Sequence, residues 1–265
     1  MKKMGVIFTL IFIMLVCVHF LLAPSKNEFA EEDLYDKIVA RGRLRVGVSP
    51  DSKPFGFYDK NGNLTGYDVD FARYIAQYII KSPDRVDFIP VTSSNRLIKA
   101  STGEVDIVIS TLTITPQREE IVGFSKPYDV AGQALLVPSK SAITSMSDLA
   151  GETVGVIFGT TAEKNMNHLV PNANLRGFRN YDDAYKALKS GQINAITSDD
   201  ALLSRYAIDD STVKLLPKRY SREPYGIAFK KGESSAKLKE NLDFAITDLE
   251  QKNVIARLHS KWLGD

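Results

Sequence analysis

Apolar and polar positions alternate along LRVGV, residues 44–48, so that Leu44, Val46 and Val48 share one side; a period of two predicts a strand. The strand reading extends to VDFIPV (86–91), VDIVI (105–109), ALLV (134–137), TVGVIF (153–158), INAIT (193–197), VKLLP (213–217) and YGIAF (225–229). Between these runs the period lengthens. Val69, Ala72, Ile75, Ala76 and Ile79 recur at helical spacing behind Asp68, a residue type that caps helices. Shorter helices are predicted over 95–100, 182–188 and 199–207, one helical turn over 145–151, and a turn into a helix over 158–165. Leu238, Leu242, Ala245, Ile246 and Leu249 mark a long amphipathic helix, and Val254, Ile255, Leu258 and Trp262 a final one. Asn61-Gly62 is a turn between two short strands. The order strand, helix, strand, helix, strand occurs up to residue 109 and again after Pro127-Tyr128, which predicts an α/β chain with a largely parallel sheet.

The first 23 residues depart from this pattern. Lys2 and Lys3 precede an apolar run from Gly5 to Ala23 interrupted by Thr9 and His19, the layout of a secretory signal. The run is also about long enough to span a bilayer, for which roughly 20 residues suffice, and Pro24 directly after it disfavours cleavage there. Residues 1–23 are therefore expected to export the chain as a signal peptide or to hold it as an N-terminal anchor. Residues 24–35 are expected to be a polar tether.

Composition narrows the function classes. The 265 residues balance at 32 bases and 32 acids once Lys2 and Lys3 are set aside, which argues against nucleic-acid binding. The single cysteine, Cys17, lies in the N-terminal apolar run, so no disulfide or thiolate chemistry is expected beyond it. His19, His168 and His259 are scattered without ligand-spaced partners, and neither a metal site nor a cofactor is expected.

The chemically suggestive stretch is STLTITPQREE, residues 110–120, which continues the strand at 105–109. Pro116 stops the strand, and Arg118 then brings a planar fork of donors next to hydroxyls and backbone N–H groups. That is a carboxylate-binding corner. Thr160 and Thr161 lie where a strand turns into a helix, whose first N–H groups also attract an anion.

Seven segments in order, LRVGV, PFGF, GNLTGYDVDFA, GEVDIVISTLTITPQREEIVGFSKPY, DLAGETVGVIFGTT, INAITSDD and EPYGIAFKKG, resemble the polar amino-acid solute-binding proteins of ABC importers, with a pattern nearest the aspartate- and glutamate-binding members. The resemblance runs from about Asp36 to the C-terminus. It implies the periplasmic binding protein type II fold: two Rossmann-like α/β lobes joined by two crossing strands, with a ligand cleft between them. Lobe 1 would comprise residues 36–131 and 224–265, and lobe 2 residues 132–223.

By that resemblance Arg118 grips the ligand's α-carboxylate with help from Ser110, Thr111 and Thr113, Thr160 and Thr161 close on it from the other lobe, and Asp199 pairs with the α-ammonium. Arg96 resembles an arginine that meets a side-chain carboxylate, which favours glutamate or aspartate, because a second buried cation without a second anion is costly. Ser49 departs from the pattern, being neither the basic residue usual in acidic-ligand members nor the aspartate of basic- and glutamine-type members; Lys53 reaching in, or a neutral ligand such as glutamine, are the alternatives. Tyr67 and Phe55 resemble the aromatic wall of the pocket, and Tyr225 is a further candidate of that kind.

The expected partners are a small amino acid and an ABC permease in the cytoplasmic membrane, engaged by a periplasmic or extracytoplasmic monomer that is not an enzyme. Two other classes compete. A dehydratase on the same scaffold would need a spare acid, for which Asp51 and Glu223 are the candidates, and a sensor domain would signal occupancy.

Overall fold

The computed structural model describes residues 32–264, so the expectations for residues 1–23 and most of the tether lie outside the described residues. Asp33 caps the first helix, α1 (Leu34–Arg41), by accepting the N–H groups of Tyr35 and Asp36, and Gly42 ends it in a left-handed conformation. Helix α1 thus starts two residues before the tether boundary expected from the sequence.

The first half of the fold is strand β1 (Leu44–Val48), a small antiparallel sheet of β2 (Asp51–Ser52), β3 (Gly56–Tyr58) and β4 (Leu64–Thr65), helix α2 (Tyr67–Ile80), β5 (Val86–Pro90), α3 (Arg96–Thr102) and β6 (Ile107–Val108). A four-residue helix α4 (Pro116–Glu119) follows, then the long strand β7 (Val122–Ala131). The chain continues through β8 (Gln133–Pro138), a 3-10 turn (Met146–Leu149), β9 (Thr153–Ile157), α5 (Thr161–Leu169), β10 (Asn174–Phe178), α6 (Tyr181–Lys189), β11 (Ala195–Asp199), α7 (Asp200–Asp209) and β12 (Val213–Leu215). Strand β13 (Glu223–Lys230) and helices α8 (Ala236–Gln251) and α9 (Val254–Trp262) complete it.

Two five-stranded sheets result, in the orders β5-β1-β6-β13-β7 and β10-β9-β11-β8-β12. Each contains three parallel strands linked by helices, β1 between β5 and β6 in one and β9 between β10 and β11 in the other. Each is completed antiparallel, by β13 beside β6 and β7, and by β8 beside β11 and β12. The sheets are therefore mixed, which corrects the expectation of a largely parallel sheet. Neighbouring parallel strands follow from short helical crossovers, whereas β13, arriving from the far end of the chain, and β8, which enters before the helical crossovers of its sheet begin, run the other way.

Helices α1, α2, α8 and α9 pack with one another over the first sheet, burying Ile75, Ile79, Leu242, Ile246 and Leu249. On its other side α3 covers Val105, Val108 and Ala228. In the second half α5, α6 and α7 pack against β8, β9, β11 and β12. Helix α2 begins at Tyr67 with Gly66, not Asp68, at the cap, because Asp68 is the second helical residue and its side chain turns inward.

Asp106, fully buried in the turn before β6, ties three segments together. Its Oδ2 accepts the Arg45 backbone N–H at 2.8 Å, its Oδ1 accepts Arg45 Nη2 at 2.8 Å, and Arg41 at the end of α1 also donates to it. Both arginines are partly exposed, so they regain water if the carboxylate is removed, while the Arg45 N–H stays behind. Asp106→Ala is expected to lower stability by about 2 kcal/mol, read as a lower urea midpoint with an unchanged slope.

Candidate functional site

In both sheets the residues singled out in the sequence follow the carboxyl ends of the parallel strands. Ser49 follows β1, Ser110 and Thr111 lie two and three residues past β6, Thr160 and Thr161 follow β9, and Asp199 ends β11. Open α/β sheets collect ligands at this edge, since the strands end there and the next helices begin with free N–H groups.

Arg118 is 3% exposed and sits in α4, where Thr115 caps the helix and Pro116 occupies its first turn. Its Nη1 donates to the Thr113 carbonyl at 2.8 Å and its Nη2 to the Gly159 carbonyl at 3.0 Å, so the guanidinium joins the loops of the two sheets. Burial, and the neighbouring charge of Arg96, pull its pKa down to about 9. Gly159 has φ +81° and a side chain there would meet the Ser93 carbonyl at 2.6 Å, so the close approach of the two loops requires glycine. Thr160 caps α5, its hydroxyl accepting the Glu163 N–H at 3.3 Å and donating to the Ile157 carbonyl, and Thr161 is the first helical residue, also buried.

Arg96 is as deeply buried and donates through Nη1 to the carbonyls of Ser110 and, at 3.3 Å, Thr111. Neither Arg96 nor Arg118 has a carboxylate within salt-bridge distance among the described residues; backbone carbonyls hold both. Thr111 adopts φ +43°, a left-handed conformation that β-branched residues avoid. Arg96 Nε, Ser110 Oγ and Tyr67 Oη are buried without a hydrogen-bond partner. Native interiors leave few such atoms, and each asks for an explanation.

Asp199 is 7% exposed and accepts the Tyr225 hydroxyl at 2.5 Å. Its side chain does not cap α7, although its backbone occupies the cap position. Burial raises its carboxyl to about 7, against the Tyr225 hydrogen bond and with the charge of Glu223 adding to the rise. Phe55 is wholly buried, with its ring edge-on to Tyr67 at 5.6 Å and to Tyr225 at 5.8 Å.

The structure thus brings Arg118 and Thr113 beside Gly159 and the Thr160–Thr161 helix start, Arg96 to Ser110 and Thr111, and Tyr225 to Asp199. Ser49 is placed differently: its hydroxyl donates to Asp51 at 2.7 Å. Lys53 does not reach in; it lies 3.9 Å from Asp209 at the rim, where Pro50, Asp51, Lys53, Asp182 and Arg205 help line a hollow of about 580 Å³. Glu223 is buried in a polar cluster with Ser221 and Asn165.

Asp68, Tyr181 and Gly159 join the site although the sequence does not mark them as site residues. Asp68 accepts the Tyr128 hydroxyl at 3.0 Å and the Thr111 N–H at 3.2 Å, and burial raises its carboxyl to about 7. The Tyr181 hydroxyl shares a 2.9 Å hydrogen bond with Ser198 beside Asp199. Gly159 alone carried a signal, as a glycine between a strand and a capping threonine.

Folded, Asp68 and Asp199 titrate near 7; unfolded, near the ordinary value of about 4. Between those values the folded protein holds more protons, so its stability falls as pH rises from about 4 to about 7 and then levels. The denaturation midpoint of the free protein is expected to be lower at pH 8 than at pH 5, and Asp199→Asn to remove about half of that difference.

The ABC transporter glutamine-binding protein GlnH of Bacillus subtilis (strain 168) is 34% identical over 274 residues, covering 100% of this chain and 98% of its own. The glutamine-binding protein of Geobacillus stearothermophilus is 39% identical over 77% of this chain and 79% of its own. Among solved structures, an ancestral arginine-binding protein bound to glutamine superposes with a TM-score of 0.78 at 35% identity, over 85% of this chain and 99% of that one. The fold is the periplasmic binding protein type II fold. Residues 44–265 match the model of the bacterial extracellular solute-binding proteins, family 3, and the chain belongs to that family.

Proposed function

We propose that the protein captures one free polar amino acid outside the cytoplasm and delivers it to the permease of an ABC importer, with glutamine as the ligand. The observation that carries this reading is a pair of buried guanidinium groups held only by carbonyls, set near a buried carboxylate. Buried cations call for an anion and the buried Asp199 for a cation. A free amino acid brings both on one carbon. Arg118, with the N–H groups opening α5, takes the α-carboxylate; Asp199, oriented by Tyr225, takes the α-ammonium. The unpartnered Tyr67 Oη, Arg96 Nε and Ser110 Oγ are then the groups available to a polar side chain.

In this reading residues 36–131 and 224–265 act as one lobe and 132–223 as the other, with β7 and β13 as the crossing strands. The Arg118 bond to Gly159 and the Ser94 hydroxyl, 3.4 Å from the Phe158 carbonyl, are contacts that lobe closure would make.

Two observations favour an amide over a carboxylate side chain. Arg96 is already engaged by two carbonyls, leaving Nε as a donor that an amide oxygen satisfies. The relatives named for glutamine point the same way. The second reading, glutamate or aspartate, rests on the burial of Arg96, whose pKa desolvation lowers and which an anionic side chain would stabilise.

Calorimetry against the twenty amino acids is expected to give micromolar or tighter binding of glutamine. Arg118→Ala should weaken every amino acid by at least about 30-fold, as truncating a buried charge partner costs roughly 2–5 kcal/mol. Heat with glutamate and none with glutamine would select the second reading, and no heat with any amino acid would remove the function. Because Asp199 must be ionised to meet the ammonium, glutamine affinity is expected to fall as pH drops below about 7, and the fall should be shallower in Asp199→Asn.

A further inference from the structure

Asp68 stands second in α2, where a carboxylate ordinarily lies in solvent near the helix N–H groups, yet it is 1% exposed. Its two oxygens face away from its own helix, Oδ1 to the Tyr128 hydroxyl on β7 and Oδ2 to the Thr111 N–H. The backbone at Ser110 and Thr111 is also held by Arg96, which donates to both carbonyls. One short turn is thus gripped through its N–H by a buried carboxylate and through its carbonyls by a buried guanidinium. The turn needs that grip, because Thr111 is left-handed and such conformations persist only when their surroundings enforce them.

The three unpartnered atoms belong to the same constellation. Ser110 Oγ is on the gripped turn, Arg96 Nε on the guanidinium that grips it, and Tyr67 Oη on the residue preceding Asp68. We infer that Asp68 is a positioning residue for the side-chain pocket: through the Thr111 turn it sets where Arg96 and Ser110 stand, and its charge opposes that of Arg96, so that it decides between a neutral amide and an anionic ligand side chain. With Asp68 ionised, its charge offsets that of Arg96 and the side-chain pocket suits a neutral group. With that carboxylate neutral, the pocket is one unit more positive and suits an acidic side chain, while buried Glu223 acts on Arg118 and Asp199 alike in both cases. Burial in a medium of low polarity makes this difference larger than it would be in water.

This inference rests on the reading of the site as an amino-acid receptor, and the experiment separates the two. Dissociation constants for glutamine and glutamate are measured by calorimetry at pH 8 for the wild type, Asp68→Asn and Tyr128→Phe. Asp68→Asn keeps the shape and removes the charge; the ratio of the glutamine to the glutamate dissociation constant is expected to rise at least about tenfold. Tyr128→Phe removes one hydrogen bond to the carboxylate, favours its neutral form, and should move the ratio the same way by about two- to threefold; it carries the test if a thermal melt shows Asp68→Asn to be unfolded. A purely structural role for Asp68 would weaken both ligands equally, and an unchanged ratio in the folded variants overturns the inference. Absence of binding by the wild type to any amino acid would instead overturn the receptor reading beneath it.

Discussion

Two guanidinium groups placed where water cannot reach them set the terms for the rest of this molecule. A buried cation is tolerated only when its hydrogens are met and a counter-charge lies near. Here carbonyls of residues 110, 111, 113 and 159 meet part of the hydrogens, Arg96 Nε is left without a partner, and the nearby negative charge comes from Asp199, Asp68 and Glu223 rather than from a contacting salt bridge. The local backbone is bent to this purpose. The left-handed Thr111, the cap at Thr115 and the proline-started α4 each turn a carbonyl or a side chain toward the same place. The sheets serve it as well, since each ends its parallel strands at that edge.

The readable parts of the sequence were those whose signal is local. Leu44, Val46 and Val48 alternate and form β1; Ile75, Ile79 and their neighbours repeat at helical spacing and form α2. Strand β7 carries no local signal, because Pro127 and Lys126 interrupt its pattern, and it is held instead by pairing with β13, about a hundred residues away. Strand β10, NLRGF, is an edge strand with mostly half-exposed residues and so lacks an apolar rhythm. An aspartate before a periodic run is usually a cap, and only the arrival of Tyr128 and Thr111 gives Asp68 another task.

The site shows the same division. Arg118 stands out as a cation beside a proline turn, and Thr160 as a residue where a strand turns into a helix, both from neighbours in sequence. Tyr225 was noticed as an aromatic, but its hydroxyl bond to Asp199 joins residues 26 apart and no spacing announces it. The choice of ligand side chain is less legible still. In the proposed reading it depends on buried charges drawn from α2, α3, α4 and the end of β11, and a sequence displays charges without displaying which of them share a dry interior.

The strand orders also bear on how the chain can assemble. Every strand of the second sheet lies between residues 133 and 215, so that sheet is built from one continuous stretch. The first sheet is not: β13 inserts between β6 and β7, so its middle is missing until residue 230 has joined. Contacts that close long loops form slowly. The half that comes first in the sequence is therefore the half that must finish last, and until β13 arrives β6 and β7 present unpaired edges of the kind that invite aggregation.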